Sequence, residues 1–159
     1  MVYLNNFFEV SDMIRKCCFA GHRNFRDNEI EERFMKTLEE LYLKENVSYF
    51  MVGNYGAFDR FCAYCVTKLK RKYDNITLEL VVPYLTNEIR KYPEYYEDFD
   101  NILIVDSINT PLKFKIIKTN RYMVDNCDFM LSYITHTWGG AYSTFEYAKT
   151  KNLQIINFS

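Results

Sequence analysis

No run in this 159-residue chain approaches the roughly 18 consecutive apolar residues that a membrane-spanning helix requires. Nor is a leader of the secretory kind expected. Met1–Val10 is apolar only in patches, interrupted by Asn5, Asn6 and Glu9, with no basic start. Neither sign of charge dominates: 20 basic against 21 acidic side chains leave a net charge of −1. The basic footprint of a protein that grips a nucleic-acid backbone is therefore missing, and neither nucleic acid nor membrane is expected as a partner. Three prolines and five glycines are too few for a linker or a low-complexity tract, and no internal repeat is visible.

Two histidines and five scattered cysteines supply no metal-ligand spacing, so neither a metal nor a cofactor is expected. The odd cysteine count fits reduced thiols in a cytoplasmic protein. Cys62-Ala63-Tyr64-Cys65 is formally a C-x-x-C, but it lies within a helical pattern and lacks a second ligand pair. It reads as a packed helix face. Cys17 and Cys18 are neighbours on a strand and must point to opposite faces. The basic run Lys68–Lys72 falls at a helix C-terminus, where the dipole favours solvated cations.

What the chain does have is aromatic bulk, with 13 Phe and 14 Tyr in a composition that is 48% hydrophobic. Most of these rings suit a core. A tyrosine can also line a pocket or an oligomer interface, where a polar tip is useful. Short apolar runs alternate with amphipathic ones, the pattern of βα units around a parallel sheet. Strands are expected at Arg15–Ala20, Val47–Val52, Thr77–Val82, Asn101–Val105, Phe129–Ile134 and Leu153–Asn157. Those beginning at Arg15, Val47, Thr77 and Phe129 should be central, being apolar nearly throughout. Helices are expected at Asn28–Glu45, capped by Asn28, at Phe58–Tyr73 with Phe58, Cys62, Val66 and Leu69 inward, and at Tyr142–Thr150. Asn87–Phe99 reads as a weaker helix broken near Pro93. Asn109–Lys118 reads as a loop or short strand, followed by a short helix at Thr119–Cys127. Residues 1–14 form an N-terminal extension and 15–159 a single domain.

Ligands of open parallel sheets bind beyond the carboxyl ends of the strands. The unusual residues gather there: Gly21-His22-Arg23, then Gly53 and Asn54 through Gly56 to Asp59, then Pro83, then His136 through Thr144. Asn120 and Arg121, read as opening a helix, join the same edge. Gly139, Gly140 and Ala141 with Ser143 and Thr144 form an expected anion cradle of backbone N–H groups and hydroxyls at a helix start. Arg121 is the expected cation, since a guanidinium pairs bidentately with phosphate. A surface pair with Asp125 is its alternative. Arg23 serves the same pocket or docks its loop. His22 is a ligand contact or a structural hydrogen-bonding residue.

Several segments together resemble the YpsA-like branch of the SLOG superfamily, which groups Lonely Guy cytokinin-activating enzymes with the DNA-processing protein of natural transformation. They are Cys17-Cys18-Phe19-Ala20-Gly21-His22-Arg23, Gly53 through Asp59, Asn120 through Asp128, and Gly139 through Ala148. The resemblance implies a Rossmann-like three-layer αβα sandwich and a nucleotide-type ligand. It also implies a homo-oligomer and a link to prokaryotic and phage conflict systems that sense or process nucleotide signals. Lonely Guy enzymes carry P-G-G-x-G-T-x-x-E. Laid on this chain, the Thr falls on Thr144, the second Gly on Ala141 and the catalytic Glu on Tyr147. Glu146 is adjacent, but one helical residue turns a side chain by about 100°.

The expected function is therefore binding, by sensing or sequestration, of a phosphate-bearing nucleotide or an ADP-ribose-like compound. The alternative is a phosphoribohydrolase-like nucleosidase using Glu146 or Asp59. Single-stranded DNA binding is the third reading.

Overall fold

The computed structural model describes residues 13–105 and 109–159. The expected extension falls almost wholly outside them. Six strands form one sheet: β1 (Arg15–Gly21), β2 (Val47–Val52), β3 (Thr77–Val82), β4 (Asn101–Ile104), β5 (Phe129–Tyr133) and β6 (Gln154–Asn157). Every neighbouring pair is parallel, in the order β4-β3-β2-β1-β5-β6. The chain thus builds outward from β1 to β4, then returns to lay β5 against the other side of β1. The expected central strands are the four inner ones, and the architecture is the Rossmann-like α/β kind.

The helices are α1 (Glu31–Glu45), α2 (Ala57–Lys72), the short α3 (Asn87–Lys91), α4 (Leu112–Asp125) and α5 (Gly140–Lys149). They cover both faces because the strands are apolar on both. Toward α1 and α2 the sheet presents Phe19, Phe50, Leu78, Leu80 and Leu131, which pack with Phe34 and Phe58. Toward α4 and α5 it presents Cys18, Met51, Val81 and Met130, met by Met123, Val124 and Ala148. Phe58, Cys62, Val66 and Leu69 are buried on α2 as their spacing predicts, and Cys65 joins them. The C-x-x-C pair is a packed helix face. Among the described residues no helix is long and apolar enough to cross a membrane.

Two local expectations are corrected. The cap before α1 is Asp27, whose carboxylate accepts from the Glu29 N–H at 3.1 Å; Asn28 begins a 3₁₀ turn, Asn28–Ile30, that runs into the helix. The segment expected as a loop or strand before Thr119 is instead the first half of α4, which starts behind Pro111. Leu112-Lys113-Phe114-Lys115-Ile116 alternates apolar and polar as a strand would. Yet Leu112 and Phe114 remain exposed, while Met123, late in the same helix, is buried at the sheet.

Phe34 is fully buried and meets Phe19, Phe58, Phe61 and Phe158. Phe34→Ala should cost about 3–5 kcal/mol in urea denaturation. Leu43→Ala, on the exposed side of the same helix, should stay within about 0.5 kcal/mol of the parent.

Candidate functional site

The strand order reverses between β1 and β5, and it is at such a switch point, outside the carboxyl ends of the strands, that open parallel sheets bind ligands. A cavity of about 450 Å³ occupies it. Its walls come from the turn after β1 (Gly21 to Asn24), from Gly53, Tyr55 and Asp59 around the start of α2, and from His136, Trp138, Gly139, Gly140, Ala141 and Thr144 around the start of α5. Ile116, Asn120 and Met123 of α4 complete it. These last three lie at i, i+4 and i+7 on one helical face.

Three aromatic rings form a stack at one wall. His22 and His136 have centroids 3.6 Å apart, and His136 and Trp138 3.9 Å, with interplanar angles of 19° and 18°. His22 is buried, and the Thr135 N–H donates to its Nε2 at 2.9 Å, which commits Nε2 as an acceptor. Burial, and then the neighbouring His136, lower the His22 pKa and hold the ring neutral. His22 is therefore a structural hydrogen-bonding residue that also borders the cavity. Trp138 is 69% exposed, so its outer face is open.

At the next wall, Gly139 adopts φ +92°, a conformation that side chains resist. It turns the chain into α5, whose first N–H groups have no partners within the helix. A Cβ added to Gly140 would meet no heavy atom within 4 Å, so open space borders this backbone. The hydroxyls behave differently from the sequence expectation. Thr144 lines the cavity but donates its hydroxyl to the Gly140 carbonyl at 2.9 Å, while Ser143 is exposed and does not line it. Gly139, Gly140 and Ala141 line the cavity at this helix start, where the first backbone N–H groups lack intrahelical partners.

The floor carries Asp59, in the first turn of α2. Burial pushes its carboxyl up to about 6, against the Tyr55 N–H, which donates at 2.8 Å, and the nearby Arg60. Arg23 donates through Nε to the Tyr55 carbonyl at 2.9 Å. Two cavity-lining residues hold buried polar atoms with no hydrogen-bond partner, Tyr55 Oη and His136 Nδ1. Such orphaned atoms are uncommon inside folded proteins and suit a site that takes a polar ligand.

Of the residues singled out in the sequence, the cavity brings together Gly21, His22, Arg23, Gly53, Asp59, Asn120, Gly139, Gly140, Ala141 and Thr144. Asn54 and Gly56 line a neighbouring cavity instead, and Pro83 borders neither. Arg121 is a correction. Because α4 begins nine residues earlier than Arg121, this side chain sits late in the helix rather than in its first turn. It lies one residue, about 100°, round from Asn120. Its guanidinium covers the Tyr147 ring at 4.7 Å and does not line the cavity. Tyr147 in turn donates to Asp125 at 2.8 Å. Glu146 pairs with Lys149 and is also outside the cavity. Sequence reasoning underused His136 and Trp138; the signal was their place in the turn before Gly139.

No family model matches this chain, and no curated protein matches it. Among solved structures it is similar to the X-ray structure of DNA processing protein A (DprA) from Streptococcus pneumoniae, with a TM-score of 0.66 and 17% sequence identity. The likeness covers 91% of this chain and 50% of that one, so the chain spans about half the length of that protein. At this identity the comparison establishes the shared Rossmann-like fold.

The Asp59 carboxyl has a measurable signature. Its folded pKa of about 6 lies above the usual value near 4, so folding takes up a proton between these limits. Stability contributed by the protonated form is present at the acid end, falls as pH rises through this window and is flat above it. Asp59→Asn, which keeps an acceptor for the Tyr55 N–H, should lose this decline. Urea melts at pH 4 and pH 7.5 should show the variant gaining about 1–3 kcal/mol relative to the parent across that range.

Proposed function

We propose that the protein binds a phosphate-bearing nucleotide, or a nucleotide derivative of the ADP-ribose kind, in the cavity between β1 and β5. The observation that carries this reading is the meeting of three unlike features in one crevice. These are an open aromatic face at Trp138, unpartnered N–H groups at the start of α5, and orphaned polar atoms on Tyr55 and His136. A purine or pyrimidine ring stacks on Trp138. The phosphate takes the N–H groups of the Gly139–Ala141 turn, where the helix dipole favours an anion. Arg23 supplies the positive charge assigned from the sequence to Arg121. The motif resemblance to the YpsA-like branch of the SLOG superfamily supports the same reading, and a cytoplasmic homo-oligomer is proposed along with it.

A second reading is favoured by Asp59 alone. A carboxyl with a pKa near neutrality on the floor of such a cavity is suited to general acid–base work. In a phosphoribohydrolase-like reaction it would deliver a proton to the departing base or take one from the attacking water. Glu146, bound to Lys149 outside the cavity, does not fit that role. The DNA-processing neighbour keeps single-stranded DNA as a third candidate, against which the net charge of −1 counts.

A thermal-shift screen against nucleoside mono-, di- and triphosphates tests the main reading. A ligand at 100 times its Kd stabilises by about 2.7 kcal/mol, a shift of several degrees for a domain this size. Trp138→Ala should weaken binding by about 5- to 150-fold, the range for losing one stacked base. Gly140→Ala should leave the fold as stable or more so, yet weaken binding by putting a methyl group into the ligand's space. Arg121→Ala should leave affinity unchanged. Free base released from adenosine monophosphate over many turnovers, and abolished in Asp59→Asn, would promote the nucleosidase reading.

A further inference from the structure

A second cavity, about 740 Å³, lies beside the first. Arg23 and Tyr55 border both, so the two share a wall and meet there. One side of the second cavity is a stripe along α2: Arg60, Tyr64, Thr67 and Arg71, at i, i+4, i+7 and i+11. The other side carries Tyr96 and Phe99, whose centroids lie 6.0 Å apart.

Lys68, Lys70 and Lys72 of α2 reach away to Glu31, Asp100 and Glu39, at 3.3, 2.6 and 2.9 Å, and tie the helix to its surroundings. Among the described residues no carboxylate forms an ion pair with Arg23, Arg60 or Arg71, and these three all line the second cavity. Guanidinium groups beside aromatic rings are the pairing that recognises phosphate together with a stacked base. Glu88 and Asp98 border the same cavity and can accept from ribose hydroxyls or an exocyclic amine.

We infer that the second cavity holds the second half of a ligand made of two nucleosides joined through phosphate. The linking phosphate lies at Arg23 where the cavities meet. The outer nucleoside lies between Tyr64 and the Tyr96–Phe99 pair, and Arg60 and Arg71 neutralise its phosphate oxygens. This rests on the nucleotide-binding reading of the first cavity and narrows its ligand class.

Titration calorimetry on the full chain separates the two claims. The probes are adenosine monophosphate, a 5′-phosphorylated 3′–5′ diadenylate, and a 5′–5′ pyrophosphate dinucleotide such as nicotinamide adenine dinucleotide. At least one dinucleotide should bind at least about tenfold tighter than the monophosphate, and the arm that does so identifies the linkage. Arg60→Ala with Arg71→Ala should remove that margin and leave monophosphate affinity unchanged. Both arginines are exposed and alanine is the best helix former, so α2 persists; circular dichroism checks this. A monophosphate that binds as tightly as both dinucleotides, or a margin that survives the double substitution, overturns the inference and leaves the first cavity's reading intact. If none of the three probes binds, both claims fall.

Discussion

The ring of Phe58 occupies the space that a side chain on Gly21 would need. A Cβ there would lie 2.1 and 2.2 Å from two ring atoms and 2.7 Å from the Phe58 Cβ, an approach no real side chain survives. One turn away the same pair of loops closes again. The Ala57 N–H donates to the Arg23 carbonyl at 2.9 Å, and a Cβ on Gly56 would fall 2.5 Å from the Arg23 Cα. The carboxyl end of β1 and the amino end of α2 are thereby held as one unit. Everything that makes the crevice depends on this. It sets Asp59 on the floor and brings Arg23 to the shared wall.

The sheet was legible in the sequence because its inner strands are apolar on both faces, a pattern few other folds demand. The helices that could be read were those with regular inward spacing, such as Phe58, Cys62, Val66 and Leu69. The failure at α4 has a physical cause. Leu112-Lys113-Phe114-Lys115-Ile116 alternates like a strand, and nothing in the local sequence reveals that Leu112 and Phe114 are left at the surface. That error carried over to the site. With the helix start misplaced, Arg121 reads as opening it, whereas one residue of rotation separates it from Asn120 in the cavity. The glycine turns were legible as a cluster, but two of the glycines serve the protein's own packing, a distinction that only neighbours distant in sequence can make.

The aromatic residues divide by their polar tips. Phe34, Phe50, Phe58 and Phe129 are fully buried. Tyrosines take boundary positions where the hydroxyl finds a partner: Tyr42 to the Asp74 carbonyl, Tyr73 to Glu39, Tyr133 to Asp27. Against that background Tyr55 stands out, since its buried hydroxyl has none. Burial, with Tyr84 and Asp59 nearby, holds this phenol well above its usual pKa, so it remains a neutral donor at the junction of the two cavities.

The chain has one tryptophan, and it is the outer member of the His22–His136–Trp138 stack. Excited at the red edge of aromatic absorption, where the fourteen tyrosines are silent, the emission of this protein comes entirely from the cavity wall. Indole fluorescence is altered by any ring laid over it. The arrival of a stacked base is therefore written into the native spectrum, so the crevice carries its own optical reporter without a label.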